Sequence, residues 1–135
     1  MRVAVDTNVL LRFLLADEPV QHEEAVRILK AAERVIIPIV ALCEAAWVLS
    51  RTYGLSRSEI GEMVRALTSV DSVEYDVELV EAGLVLLDAG GDFADGVIAR
   101  QGQLRRSDLF VSFDRKAVKL LQASGMTART PDAIA

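Results

Sequence analysis

The sequence predicts an α/β fold with a short, mostly parallel sheet. Short β-branched runs of strand type alternate with longer helical patterns along the chain, as expected for parallel strands joined by helices. The length of 135 residues suits one domain, and an apolar content of 52% suffices for one continuous core. We therefore expect a single domain that spans residues 1–135.

Three strands and four helices are predicted in the first part of the chain. Pro19 suits the first turn of a helix, where its missing N–H is not needed. Gly54 suits the end of a helix, and Ser56 with Glu59 forms a capping box that begins the next one. The predicted strands are 2–5, 35–37 and 73–75, and the predicted helices are 9–15, 19–33, 39–52 and 56–69.

Three helices and two strands are predicted in the rest of the chain. Asp76 and Asp92 are typical residues to begin a helix, and Gly125 is typical of a helix end. The fifth helix runs from Asp76 to the glycines at 90–91, the sixth begins at Asp92, a strand covers 109–113, the last helix covers 115–123 and a final strand covers 127–129.

The charge balance argues against one way of binding nucleic acid. With 20 acidic and 15 basic residues, the net charge is −5, which argues against a protein that holds nucleic acid mainly through its own basic face. It does not exclude a protein whose carboxylates bind divalent cations, because those cations would then attract phosphate.

We expect a cytoplasmic protein without a membrane span. The longest apolar stretch, 35–49, is interrupted by Pro38 and Glu44 and is too short to cross a bilayer. The N-terminus lacks the charged-then-apolar pattern of a secretory signal. Cys43 is the only cysteine, so no internal disulfide can form, which suits a reducing compartment.

Four acidic residues from distant segments are predicted to reach one place. Ligands of open parallel sheets bind beyond the carboxyl ends of the strands. Asp6 and Asp114 each follow directly on a predicted strand. Glu44 lies in the helix that leaves the same end of the second strand, and Asp95 lies in the first turn of the sixth helix. The four carboxylates outline a metal site.

Each acid also has a purely structural interpretation. Asp6, Asp92 and Asp114 can be helix N-caps, and Asp95 can be a first-turn acid that favours the helix dipole. Glu44 is the most informative, because it is the only carboxylate in the apolar stretch 35–49 and burying it without a partner would be costly. Its structural alternative is an ion pair with Arg51, seven residues further along the helix.

The available ligands favour a hard cation. Carboxylate oxygens alone select Mg²⁺ or Mn²⁺. His22 lies in a polar helix and Cys43 in an apolar one, so zinc finds no ligand set, and a nucleophilic mechanism lacks its base. No glycine-rich phosphate loop follows the first strand. Metal-activated water is the chemistry that remains.

Four motifs, in this order and spacing, resemble those of the PIN domain family. They are VDTNVL at 5–10, the lone Glu44 in an apolar helix, DFADGVIA at 92–99 and SFDRK at 112–116. In its size the chain is similar to the VapC ribonuclease toxins of prokaryotic toxin–antitoxin pairs. The resemblance implies a single-domain, three-layer α/β/α fold. It places the acidic quartet on Asp6, Glu44, Asp95 and Asp114, which would be catalytic residues and metal ligands.

The resemblance also implies supporting residues. Asn8 and Ser112 match polar positions that support the site, and Asp92 matches an extra acid of many members. Gly96 stands where alanine is more common, which would loosen the sixth helix slightly.

The implied activity is that of an endoribonuclease that uses Mg²⁺, or Mn²⁺, and hydrolyses RNA phosphodiester bonds. The implied partners are the RNA substrate, a cognate small antitoxin held in an apolar groove, and a second copy in a homodimer. A mean hydropathy of +0.31 is compatible with such apolar surfaces. For Trp47 and Phe13, burial in the core is the favoured interpretation.

Two alternatives remain beside this one. A non-catalytic domain of the same fold could serve as an interaction module, although four clustered acids would then have no use. A phosphoaspartyl domain fits less well, because position 8 is Asn and no second acid accompanies Asp6.

Overall fold

A computed structural model describes residues 1–134 of the chain. The chain forms two compact units, the first from Met1 to Asp76 and the second beginning at Val77. Within the described residues there are seven α-helices and five short strands. The fold class is therefore α/β with short parallel strands, as predicted.

The first unit contains a parallel sheet of three strands in the order β1-β2-β3. Val3 pairs with Val35, and Val35 pairs in turn with Val73, so these three valines are aligned in one row across the sheet. The strands are β1 (Arg2–Ala4), β2 (Arg34–Ile36) and β3 (Val73–Glu74), and the helices are α1 (Thr7–Leu14), α2 (Pro19–Ala31), α3 (Ile39–Arg51) and α4 (Arg57–Thr68).

Local signals in the first unit begin the helices where the sequence predicts. Pro19 occupies the first position of α2. The backbone N–H of Glu59 donates to the Ser56 hydroxyl, and the Glu59 carboxylate accepts from the N–H of Ser56, which completes the capping box of α4. Leu10 and Leu42 are fully buried and anchor α1 and α3 in the core of this unit.

The second unit contains a parallel pair of strands, in which Phe110 lies opposite Ala128. Its elements are α5 (Val77–Asp88), α6 (Phe93–Leu104), β4 (Phe110–Val111), α7 (Arg115–Ala123), β5 (Ala128–Arg129) and a 3₁₀ turn (Pro131–Ala133). Its core is a cluster of buried apolar side chains from α5, α6, α7 and β5, namely Leu86, Ala99, Val118, Leu121 and Ala128.

Two glycines allow α5 and α6 to approach closely. A Cβ atom on Gly96 would lie 2.5 Å from the carbonyl oxygen of Ala82, and one on Gly83 would lie 2.6 Å from the Phe93 ring. Both distances are too short for real atoms. Gly96 therefore has a packing role in α6, whereas the sequence had suggested only a slightly looser helix.

Two details differ from the sequence predictions. The apolar run 109–113 forms a strand only at Phe110–Val111, because Phe113 lies in a bend and its side chain is 87% exposed. Trp47 is 60% exposed, so its assignment to the core is wrong, and Phe13 is half-buried. No helix among residues 1–134 has the length and apolar character that a bilayer crossing requires.

Candidate functional site

Three aspartates of the second unit form a compact acidic triad. One carboxylate oxygen from each of Asp92, Asp95 and Asp114 lies within 4.8 Å of the others. Asp92 is the N-cap residue of α6, Asp95 stands in the first turn of α6, and Asp114 is the N-cap residue of α7. Two helix starts therefore bring together three acids that span 23 residues of sequence.

The capping roles predicted as alternatives are only partly realised in the triad. Oδ1 of Asp114 accepts a hydrogen bond of 3.0 Å from the N–H of Ala117, so this carboxylate caps α7. A carboxylate offers about four lone-pair sites, so the capping bond leaves Asp114 able to accept further partners. The side chain of Asp92 makes no capping hydrogen bond to α6. Capping therefore does not explain why Asp92 faces the other two acids.

The electrostatics of the triad disfavour the ionised form of Asp95. Partial burial raises the pKa of Asp95, and the nearby charges of Asp92 and Asp114 raise it further. A divalent cation would relieve this repulsion, and a set of three carboxylate oxygens is the donor chemistry that hard cations such as Mg²⁺ take. The residues of the triad thus fit a divalent metal.

Ser112 fixes the backbone that carries Asp114. Its hydroxyl oxygen accepts a hydrogen bond of 3.0 Å from the N–H of Asp114. Its own N–H donates to the carbonyl of Arg129 at 3.2 Å, which ties the segment to β5. Ser112 therefore fixes the backbone position of Asp114 through these two hydrogen bonds.

Two further candidates, Asp6 and Glu44, belong to the first unit. Asp6 follows β1 and caps α1, because its Oδ1 accepts a hydrogen bond of 3.0 Å from the N–H of Val9. Thr7, the next residue, donates from its hydroxyl to Oε2 of Glu44 at 2.9 Å. This bond brings the middle of α3 to the segment that follows β1. Asn8, the third polar residue of that segment, is exposed.

The environment of Glu44 differs from the one predicted. We expected a desolvated carboxylate, but Glu44 is exposed, so the reasoning from the cost of burial is wrong for this residue. Its hydrogen-bond partner is Thr7, and the ion pairs found within residues 1–134 do not include one with Arg51. Sequence reasoning missed Thr7, although the polar run of residues 6–8 directly after a strand was a signal for it.

The predicted site residues thus fall into two groups. Thr7 connects Asp6 with Glu44 in the first unit, and the acidic triad joins Asp95 and Asp114 in the second. The triad also includes Asp92, which had been given only a supporting role.

A groove of about 520 Å³ in the first unit lies beside Asp6. Side chains from β1, α1 and α2 line it, and most of its exposed lining is apolar. Asp6, Asn8 and Arg12 supply polar atoms at its wall. The groove therefore combines an apolar surface with one of the candidate acids.

Comparison with protein families gives one match. The family model described as "PIN domain" matches residues 3–120, which include both acid groups. No curated protein sequence matches the chain.

Proposed function

Because the chain belongs to the PIN domain family, whose members are generally nucleases, we propose that it is a Mg²⁺- or Mn²⁺-dependent endoribonuclease. The observation that carries this proposal is the acidic triad, three carboxylates whose oxygens lie within 4.8 Å of one another. A domain without a cation to bind would gain nothing from like charges held so close.

The proposed catalytic residues and metal ligands are the four acids Asp6, Glu44, Asp95 and Asp114, with Asp92 as an additional ligand. Asn8 and Ser112 are supporting residues, and Thr7 joins them because its hydroxyl orients Glu44. Asp95 is the central acid, since the charges of both Asp92 and Asp114 act on it. All belong to one nuclease domain, proposed to extend over residues 1–135.

The chemistry follows from the donor set. A bound divalent cation supplies a Lewis acid for the phosphate and lowers the pKa of coordinated water. The carboxylates would hold the cation, and the hydrogen bond from the N–H of Ala117 restricts the orientation of the Asp114 carboxylate. The Asp114 N–H, in turn, is held by Ser112. Hydrolysis is expected to leave 5′-phosphate and 3′-hydroxyl ends.

The proposal includes a role as the toxin of a VapC-type toxin–antitoxin pair in the cytoplasm. Its support is the groove beside Asp6, which would hold an apolar segment of a cognate antitoxin. Further support is the exposed apolar face of α3, where Val40 and Trp47 stand seven residues apart and are 64% and 60% exposed. A homodimer is the second proposed use of such apolar surface.

The test measures metal binding and cleavage separately. We expect Mg²⁺ to raise the melting temperature of the wild type, and labelled single-stranded RNA to be cut with Mg²⁺ or Mn²⁺ but not with EDTA. Asp95→Asn should no longer be stabilised by Mg²⁺, and its activity should fall by at least about 100-fold. Residues that only support metal ligands already contribute up to about 100-fold, so a ligand itself should contribute at least as much. Asp108→Asn, which changes an exposed aspartate outside the triad, is the matched control.

A negative result would favour the alternative function. If Mg²⁺ and Mn²⁺ leave the melting temperature unchanged and RNA stays whole, the chain is a non-catalytic interaction module. The exposed apolar face of α3 would then be its functional surface.

A further inference from the structure

Phe113 is an aromatic residue whose side chain is exposed to solvent and which directly precedes a member of the acidic triad in the sequence. Its side chain is 87% exposed, and only Met1 is more exposed among the large apolar side chains of residues 1–134. The residue that follows it is Asp114, a member of the triad. Adjacent Cα atoms are about 3.8 Å apart. The backbone of Phe113 is therefore next to that of a proposed metal ligand.

The usual structural role of a residue in this position does not apply to Phe113. An apolar residue before a helix N-cap commonly packs on the fifth residue after it, as a hydrophobic staple. For α7 these residues are Phe113 and Val118, and Val118 is buried in the core cluster while Phe113 stays in solvent. At α4 the corresponding residue, Leu55, is half-buried. Helix capping therefore does not account for the aromatic ring of Phe113.

The exposure of Phe113 is not a consequence of a loose loop. Ser112, the residue before it, donates through its N–H to the carbonyl of Arg129 at 3.2 Å. The hydroxyl of Ser112 accepts a hydrogen bond of 3.0 Å from the N–H of Asp114. The Asp114 carboxylate is bonded to the N–H of Ala117. Hydrogen bonds thus fix the backbone on both sides of Phe113, so the ring projects into solvent from an ordered segment.

Cationic side chains stand on the two elements that flank Phe113, the helix α7 and the strand β5. Lys116 and Lys119 lie on the exposed side of α7, and Arg129, exposed on β5, is the register partner of Val111 two residues before Phe113. None of the three takes part in an ion pair found within residues 1–134. Exposed cations on the elements that flank an exposed aromatic ring suit single-stranded nucleic acid, in which phosphates alternate with bases.

We propose that Phe113 stacks on a base of the RNA next to the scissile phosphate, and that Lys116, Lys119 and Arg129 contact the adjoining backbone. This inference rests on the proposed ribonuclease function and adds the residues that hold the substrate. It implies a single-stranded substrate, because a base paired in a duplex has no free face for the ring. Phe113 is therefore a binding residue that positions the chain for cleavage.

The test separates binding from chemistry. Binding of a fluorescein-labelled single-stranded RNA is measured by anisotropy with Ca²⁺ in place of Mg²⁺, after a gel has shown that the RNA stays whole. Phe113→Ala and Phe113→Leu should each raise Kd by about 5- to 150-fold, the range for losing one stacked base, whereas Phe113→Trp should stay within about threefold of the wild type. Val85→Ala, which trims another exposed apolar side chain in the same unit, is the control.

A second readout reports on stacking itself. An RNA that carries 2-aminopurine should lose fluorescence on binding to the wild type and to Phe113→Trp, but less on binding to Phe113→Leu, which keeps an apolar side chain without a ring. In cleavage assays with Mg²⁺, Phe113→Leu should raise KM more than it lowers kcat. Equal Kd values and equal quenching for the wild type and Phe113→Leu would overturn the stacking role.

The possible failures are distinguishable. If the wild type binds and cuts RNA and Phe113→Ala does so equally well, the inference fails while the ribonuclease function stands. If the wild type neither binds nor cuts RNA, both fail. If Phe113→Ala abolishes self-association in sedimentation experiments and leaves RNA binding unchanged, Phe113 belongs to a protein interface, and the stacking role is overturned.

Discussion

The hydroxyl of Thr7 donates a hydrogen bond of 2.9 Å to Oε2 of Glu44, across 37 residues of sequence. The donor stands in the first turn of α1, directly after the strand-end acid Asp6, and the acceptor stands in the middle of α3. Glu44 is exposed, so water could solvate its carboxylate, and burial does not force the hydrogen bond to Thr7. The bond instead selects one orientation for a carboxylate that has many others available.

The first prediction concerns this bond. Thr7→Val keeps the shape of the side chain and removes the donor, so the free energy of unfolding should fall by no more than about 1 kcal/mol. Activity should fall much further, by about 10- to 100-fold, because the orientation of a ligand is lost. Urea unfolding and RNA cleavage measure the two effects. Thr7→Ser keeps the hydroxyl and should retain most of the activity; equal activity of Thr7→Val and wild type would contradict the orienting role.

The second prediction concerns the packing of α5 against α6. Gly96→Ala places a Cβ where the carbonyl oxygen of Ala82 stands only 2.5 Å away, so the helices must separate. Overpacking of this kind costs about 1–3 kcal/mol, measured by urea unfolding. The shift should also weaken Mg²⁺ binding, because Asp95 is the neighbouring residue on α6.

Gly102→Ala is the matched control in the same helix. The nearest atom to its added Cβ is the Ser107 hydroxyl at 3.1 Å, an exposed side chain that can move. Alanine favours the helix over glycine by up to about 1 kcal/mol, and this gain should offset the cost of the close contact. Similar destabilisation by Gly96→Ala and Gly102→Ala would remove the proposed role of Gly96.

The third prediction concerns the reactivity of Cys43. Burial raises the pKa of its thiol to about 11 from the ordinary value of 9.0. The thiolate is the reactive form, so at pH 8 alkylation by iodoacetamide should be about 100-fold slower than for an ordinary thiol. The rate should rise with pH until about pH 11. Urea-unfolded protein provides the control, and a native rate equal to the unfolded one would refute the prediction.

Local sequence signals predicted the helix starts and supplied the candidate acids. Pro19 and the Ser56–Glu59 capping box act through their own backbone neighbours, so their effect can be read from adjacent residues. Asp114 follows directly on the apolar run 109–113, and this position made it a candidate, although the strand itself ends at Val111. Such features do not depend on what packs from elsewhere in the chain.

Features that depend on distant packing were missed. Glu44 has apolar neighbours along its own helix, which suggested burial, but its side chain is exposed in the folded unit. Phe113 continues an apolar run, yet its strand ends at Val111 and the ring lies in solvent. Gly96 looked like a small loss of helix propensity because Ala82, which it contacts, belongs to another helix. Each outcome is decided by a partner that periodicity does not identify.

The last prediction concerns the charge of Asp95. Its pKa is raised first by burial and then by Asp92 and Asp114, so the folded state keeps a proton that the unfolded state releases near the ordinary value of 3.8. The free energy of unfolding of the metal-free protein should therefore fall as pH rises from about 3.8 through the raised pKa of this group. Asp95→Asn cannot titrate and should lack this component.

Comparing the two proteins isolates the effect from other titrating groups. Without metal, Asp95→Asn should gain melting temperature relative to wild type as pH rises toward 7, because the variant carries one fewer charge in the triad. With Mg²⁺ the order should reverse, since the cation stabilises only the state that binds it. Asp108→Asn, tested in parallel, should follow the wild type in both series. A wild type that is more stable than Asp95→Asn at pH 7 without metal would mean that the triad is not under electrostatic strain and has no need of a cation.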